Sequence, residues 1–263
     1  MSVRSFAIGP EGDLVVRGLA YAGPVVVSGI GLWDGIRFQS FRTGLRGTGY
    51  AIAVGNIGCG TELFGADYGA NVSRWTGQAW EVIGNTALPP NVHALCVFDD
   101  GDGPCLYAGG DFLNIGTSQR TNFIAKWDGV AWRPMQTGLG GHCYVLKVYD
   151  DGTGPALFAG GPFSRAGDQT AWSVAKWDGQ QWHGFGGTDG IYVYALEVWD
   201  DDGDGPRRPG LYVGGQFDFA VQPTGEWIPA ENMARWDGQA WEAVGAGTPG
   251  TIRALKVHDD GTG

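Results

Sequence analysis

The chain has 263 residues, a formal net charge of −11, 48 glycines and 12 tryptophans. That acidity argues against nucleic acid as a partner, because a phosphate backbone needs a basic surface, and no apolar run reaches the length of a membrane span. Glycine and tryptophan this far above their usual shares suit many tight turns and large aromatics packed between layers.

Residues 1–9 read as no signal peptide, since Arg4 is followed by no long apolar segment. In residues 3–46 the runs Val3 to Gly9, Leu14 to Gly18, Ile30 to Asp34 and Ile36 to Phe41 are short and apolar. Gly, Pro and Asp separate them, which is the chemistry of strands punctuated by turns. Residues 47–90 repeat the pattern with a shortened loop between the second and third runs. Residues 91–141, 142–190 and 191–250 repeat it in full, and residues 251–263 restate the first run up to its Asp-Asp-Gly turn.

The surest marker of the repeat is a Trp, a Gly two residues on and a second aromatic five residues on. It occurs at Trp33/Phe38, Trp75/Trp80, Trp127/Trp132, Trp177/Trp182 and Trp236/Trp241, with first members 42, 52, 50 and 59 residues apart. Upstream lie Leu106-Tyr107-Ala108-Gly109-Gly110, Leu157-Phe158-Ala159-Gly160-Gly161 and Leu211-Tyr212-Val213-Gly214-Gly215. A period near 50 with four strands per unit predicts an all-β fold, a β-propeller of four-stranded blades. No stretch has sustained helical spacing, so no helix is expected. With strands lettered A to D, strand A is apolar on both faces and belongs innermost. Strand B ends in the double glycine, and strands C and D carry the paired aromatics that fill the space between blades. The expectation is one domain over residues 1–263: five blades and the first strand of a sixth. That spare strand reads as a piece of a larger propeller of six or seven blades. The alternative is a five-blade ring whose terminal strand docks elsewhere or self-associates with another copy through its unpaired edge.

The double glycine, the aromatic on strand C and the Trp on strand D resemble the kelch repeat. The combination of Asp-Asp-Gly, Leu-Tyr-x-Gly-Gly and Trp-Asp-Gly-x-x-Trp is similar to propeller repeats of secreted bacterial proteins. The resemblance covers nearly the whole chain and is strongest in blades three to five. It implies a propeller and, for location, the extracellular space or cell surface. It implies no single function, because such propellers host unrelated ones.

Asp99-Asp100-Gly101-Asp102, Asp150-Asp151-Gly152 and Asp200-Asp201-Asp202-Gly203-Asp204 fall in A–B turns, and Asp34, Asp128, Asp178 and Asp237 in C–D turns. Both kinds of turn emerge on one face of a meander, which concentrates negative charge there for cations or a basic partner. The other reading is turn chemistry, at which Asp-Gly excels. Calcium fits poorly: Asp200, Asp202 and Asp204 alternate, but Pro206 and Arg207 interrupt and no acidic ligand closes the loop. No metal or cofactor is therefore expected. A two-residue turn at Asp100-Gly101 would place Cys96 opposite Cys105 for a cross-strand disulfide; two small apolar residues are the other reading. Cys59 and Cys143 have no evident partner.

The B–C and D–A loops vary most and suit recognition. Phe112, Phe163 and Phe217 share one position after the double glycine, so they read as packing residues. Trp172 and Trp227 share no repeat position and are the leading ligand-binding candidates. Arg120, Arg165, His142 and Tyr192 complete the set, the last two at the start of strand A near the central channel. Aromatics mixed with Arg stack on a sugar or anchor a peptide. The sequence thus predicts a non-catalytic recognition or scaffold module for a protein or glycan. The rivals are a propeller enzyme (glycosidase, lyase or oxidase) with an unmarked site, and a purely structural repeat. A kelch-like copper oxidase would require convergent Tyr and His ligands and a Cys–Tyr crosslink. His93, His142, His183 and His258 instead occupy different parts of different blades. No nucleophile elbow, phosphate loop or zinc-protease helix is present.

Overall fold

The structure, a computed structural model, describes residues 5–9, 13–17, 21–22, 25–26, 30–41, 45, 51–58, 60–67, 71–84, 91–115, 119–190, 192–203 and 205–258. Among these residues it is all-β without a helix. The chain divides into two compact units, Met1–Gly138 and Leu139–Gly263. The first holds blades one to three and the second holds blades four and five.

Each blade is a four-stranded antiparallel meander in the order A-B-C-D. Blade one is Ser5–Ile8, Leu14–Arg17, Ile30–Trp33 and Phe38–Ser40. Blade two is Ile52–Asn56, Thr61–Ala66, Val72–Trp75 and Trp80–Val82. Blade three is Val92–Asp99, Pro104–Gly110, Ile124–Trp127 and Trp132–Pro134. Blade four is Val145–Asp150, Pro155–Gly160, Val174–Trp177 and Trp182–His183. Blade five is Tyr192–Trp199, Gly210–Gln216, Met233–Trp236 and Trp241–Ala243. Within each unit the A strands of successive blades lie against one another, the innermost position that the sequence assigned them. This is the blade architecture of a β-propeller. Parts of the expected first blade and of segment 251–263 lie outside the described residues.

The aromatic marker is a cross-strand pair. Trp127 stands directly opposite Trp132, and Trp33/Phe38, Trp75/Trp80, Trp177/Trp182 and Trp236/Trp241 are paired alike. All five pairs are tilted, with centroids 4.9 to 5.6 Å apart. Antiparallel opposition brings such rings together, and in blades two and five the preceding blade covers them. Phe41, after strand D of blade one, packs on Trp75 at 4.8 Å and Trp80 at 5.6 Å. Phe185, after strand D of blade four, packs on Trp236 at 4.9 Å and Trp241 at 5.6 Å.

The two glycines that end strand B do different jobs. A Cβ on Gly160 would lie 2.6 Å from Val193 on strand A of the next blade. A Cβ on Gly161 would lie on the His142 carbonyl oxygen of its own blade, and Gly110 and Gly215 face Asn91 and Tyr192 oxygens in the same way. The first glycine thus sets how closely two blades approach. The second sets how strand A enters its own blade.

Residues 251–258 form no ladder strand, yet they lie on blade five as strand A of blade five lies on blade four. A Cβ on Gly214 would meet Ile252 at 2.5 Å, as one on Gly160 meets Val193. The Ile252 amide donates to the Gly215 carbonyl at 2.9 Å. Glu197 takes Lys147 from blade four on one side and Lys256 on the other, the latter at 3.3 Å. The segment expected as an unpaired strand is therefore docked on its own unit through these contacts.

The expected apposition of Cys96 and Cys105 is not found. Asp99 pairs with Pro104, so the loop between them has four residues and the register moves by two. Cys96 then faces Tyr107 and Phe98 faces Cys105, so the two are not bridged to each other.

Gly160→Ala is expected to lower unfolding stability by roughly 1–3 kcal/mol through overpacking against Val193. Denaturant unfolding checks it; an unchanged midpoint would show that the inter-blade contact yields without cost.

Candidate functional site

The acidic turns come first, because the sequence offered them as a charged surface. The first Asp of each Asp-Asp-Gly caps its own turn. Asp99 Oδ1 accepts from the Gly101 and Gly103 amides at 3.0 and 3.1 Å, and Asp150 Oδ1 from Gly152 and Gly154 at 2.8 and 3.0 Å. The second Asp meets the cation that precedes the strand C Trp. Lys126 and the Tyr107 hydroxyl both donate to Asp100 Oδ2. Lys176 donates to Asp151 at 2.7 Å, and Asp201 pairs with Arg207 at 3.0 Å and Arg235 at 3.9 Å. The C–D aspartates likewise cap their turns, and Asp34 and Asp128 are held down to about 2. For Asp34 the amide of Arg37 is the largest cause. For Asp128 burial acts upward, and the Ala131 amide and Arg133 outweigh it. The turn carboxylates thus cap their own turns, and Asp100, Asp151 and Asp201 also pair with a cation, in agreement with the turn-chemistry reading of these aspartates. Asp200, Asp201 and Asp202 do gather their oxygens within 4.8 Å, but Arg207 already places its guanidinium on Asp201 and its amide on Asp202. Asp204 lies outside the described residues.

The opposite loops build a second tier on the Leu139–Gly263 unit. Strand Gly187–Thr188 from the D–A connection pairs with Phe219–Val221, which pairs with Trp227–Pro229. Trp172, from the B–C loop of blade four, forms a parallel bridge to Gly187. Gly186 and Gly187 make this approach feasible: their φ values are +84° and +140°, and a Cβ on either would fall 1.9 Å from the Val221 or Trp172 carbonyl oxygen. The tier is tied down by side chains. Asp189 Oδ1 accepts from the Asp218 and Phe219 amides at 3.1 and 2.8 Å. Gln222 clamps both backbone groups of Trp241, at 2.7 and 3.0 Å.

Trp172 and Trp227 meet on this tier. Their rings are 6.0 Å apart at 71°, and Phe219 adds a third ring 5.8 Å from Trp227. Yet Trp172 remains 40% exposed and Trp227 49%. By contrast Phe112, Phe163 and Phe217 are buried, as their shared repeat position implied.

The other four candidates divide. His142 and Tyr192 join one row of near-parallel rings through two residues that the sequence reading did not single out. His142 stacks on Tyr144 at 6.1 Å, and Tyr144 lies 5.4 Å from Tyr194 and 6.3 Å from Tyr192. Arg253 sits over Tyr194 at 5.0 Å. The available signal was repeat position: Tyr144, Tyr194 and Arg253 each stand three residues before Lys147, Glu197 and Lys256. Arg165 is exposed on hairpin Arg165–Ala166/Gln169–Thr170, and its carbonyl accepts from the Gly140 amide at 2.8 Å. Arg120 belongs to the other unit, where its Nε donates to Asn122 Oδ1 at 3.0 Å.

No protein-family model matches the chain, and no curated protein matches it. Among solved structures it is similar to crystal structures of BBS1N in complex with ARL6DN. One, soaked with mercury, is 13% identical with a TM-score of 0.47, covering 93% of this chain and 78% of that one. Another, soaked with lead, is 14% identical with a TM-score of 0.48, covering 93% and 80%.

The Asp100 network gives a pH prediction. Burial acts to raise the Asp100 pKa, but the hydrogen bonds from Lys126 and Tyr107 outweigh it and hold it below the ordinary 3.8. Its contribution to stability is therefore complete above about pH 5 and lost as pH falls further. Unfolding midpoints are expected to drop between about pH 5 and pH 2. Asp100→Asn should cost roughly 2–4 kcal/mol at neutral pH by leaving the largely buried Lys126 only the exposed Asp102 carboxylate at 3.9 Å, and should flatten the acid limb. An acid limb of unchanged steepness in the variant would contradict this.

Proposed function

We propose that the chain is a non-catalytic recognition module that engages a partner protein through Trp172, Trp227 and Phe219. The observation that carries the reading is that two tryptophans from different blades meet at 6.0 Å while both stay about half exposed. Contiguous exposed aromatic surface on a rigid base is the composition of an interface hot spot. The tier that holds it is fastened by Asp189 and Gln222, so little ordering entropy opposes binding. A protein surface fits better than a glycan here: rings packed edge to face form a corner rather than the flat floor on which a pyranose stacks. The repeats are read as kelch-like, supported by the double glycines and paired aromatics. The chain is read as extracellular or surface-attached, supported by its resemblance to exported propeller repeats.

In affinity capture from the native source, Trp172→Ala and Trp227→Ala are each expected to lower retention of a specific partner at least tenfold while their circular dichroism spectra match the parent. Capture unaltered in both variants would reject the site.

A further inference from the structure

In blades three, four and five the cation before the strand C Trp is largely buried: the side chains of Lys126, Lys176 and Arg235 are 17%, 11% and 4% exposed. Each is joined to the second Asp of its own A–B turn. Blade two breaks this rule. Its A–B turn reads Asn56-Ile57-Gly58 and offers no Asp. The equivalent cation, Arg74, bonds instead to Glu62 Oε1 on strand B at 3.1 Å, and its side chain is 36% exposed. In blade one the position is Leu32, which carries no charge to pair with an A–B turn. A cavity of about 1050 Å³ opens between blades one and two, within the Met1–Gly138 unit. Its lining includes Asp13, Phe41, Glu62, Arg74, Trp75 and Gln78.

Among the described residues, two carboxylate oxygens of the cavity's lining residues, Glu62 Oε2 and Asp13 Oδ1, are buried without a hydrogen-bond partner. Buried carboxylate oxygens left unpaired are costly, and a rotation of either side chain that turns them to a ligand's donors in the cavity relieves that cost. Arg74 supplies donors of its own, and Gln78 adds an amide. Trp75 is only half-buried, whereas Trp127, Trp177 and Trp236 at the same repeat position are buried. Its indole, with Leu32 and Leu63, gives the cavity an apolar wall. With two carboxylates against one guanidinium, the lining repels anions.

We propose that this inter-blade cavity is a binding site for a neutral saccharide of two or three units. Sugar hydroxyls donate to carboxylates and accept from a guanidinium at once, the sugar C–H face packs on indole, and the cavity's size is that of small-molecule sites. The site is independent of the Trp172/Trp227 surface.

The test is isothermal titration of the full chain with a panel of neutral di- and trisaccharides built on glucose, galactose, mannose and xylose, with spermidine as a cationic probe. Saturable binding of at least one sugar is expected. Glu62→Gln should weaken it at least tenfold, and Trp75→Ala likewise. Trp172→Ala should leave it unchanged, so that failure of the protein-recognition reading and failure of this one are told apart. Gln78→Ala, at an exposed turn, serves as a second variant should Trp75→Ala not fold, and it should weaken binding at least threefold. A panel without saturable binding, binding indifferent to Glu62→Gln, or binding of spermidine alone would overturn the proposal.

Discussion

How closely one blade can approach the next is the constraint on which the rest depends. A four-stranded meander has two apolar faces and cannot bury either alone. In blades four and five the first glycine of the pair removes the one side chain that would hold the next strand A away, as Gly160 does for Val193 and Gly214 for Ile252. Once the inner strands are close, the outer strands diverge, and large rings are needed to fill the wedge. The Trp pair on strands C and D, capped by Phe41 or Phe185 from the preceding blade, fills it. The composition follows from this geometry: glycine where backbones meet, tryptophan where they part.

Charge follows the same repeat. The net charge of −11 suggests an acidic surface, yet the aspartates that stand in register are consumed by turn caps and by the cation of strand C. Asp100, Asp151 and Asp201 are joined to Lys126, Lys176 and Arg235 across the sheet. These pairs close the outer ends of three blades. Where the pattern lapses, at Arg74 and Leu32, the closure lapses as well and a cavity remains. Departures from the repeat therefore mark the places where chemistry is available.

Most of the fold was legible because a repeat states each structural requirement several times. The strand A, double-glycine and aromatic positions could be compared across blades, so Phe112, Phe163 and Phe217 were recognisable as packing. Trp172 and Trp227 stood out for the opposite reason, but that they touch depends on the Gly186-Gly187 approach, which no spacing announces. The apposition of Cys96 and Cys105 hinged on a two-residue turn; two- and four-residue turns look alike in a run of Asp and Gly, while the register differs by two. The row from His142 to Arg253 joins neighbouring strands, a lateral relation that sequence order hides. The cavity was invisible for a related reason: it arises from what blade two lacks.

The central claim is that residues in the repeat hold the fold while residues outside it are free to recognise. Equilibrium unfolding of Trp182→Ala beside Trp227→Ala tests it most directly. Trp182 is buried in its cross-strand pair and Trp227 is half exposed. The account predicts a loss of about 3–5 kcal/mol for Trp182→Ala, as for other buried aromatics, and less than about 1 kcal/mol for Trp227→Ala, as for surface substitutions. Equal losses in the two variants would contradict it, because Trp227 would then be part of the core.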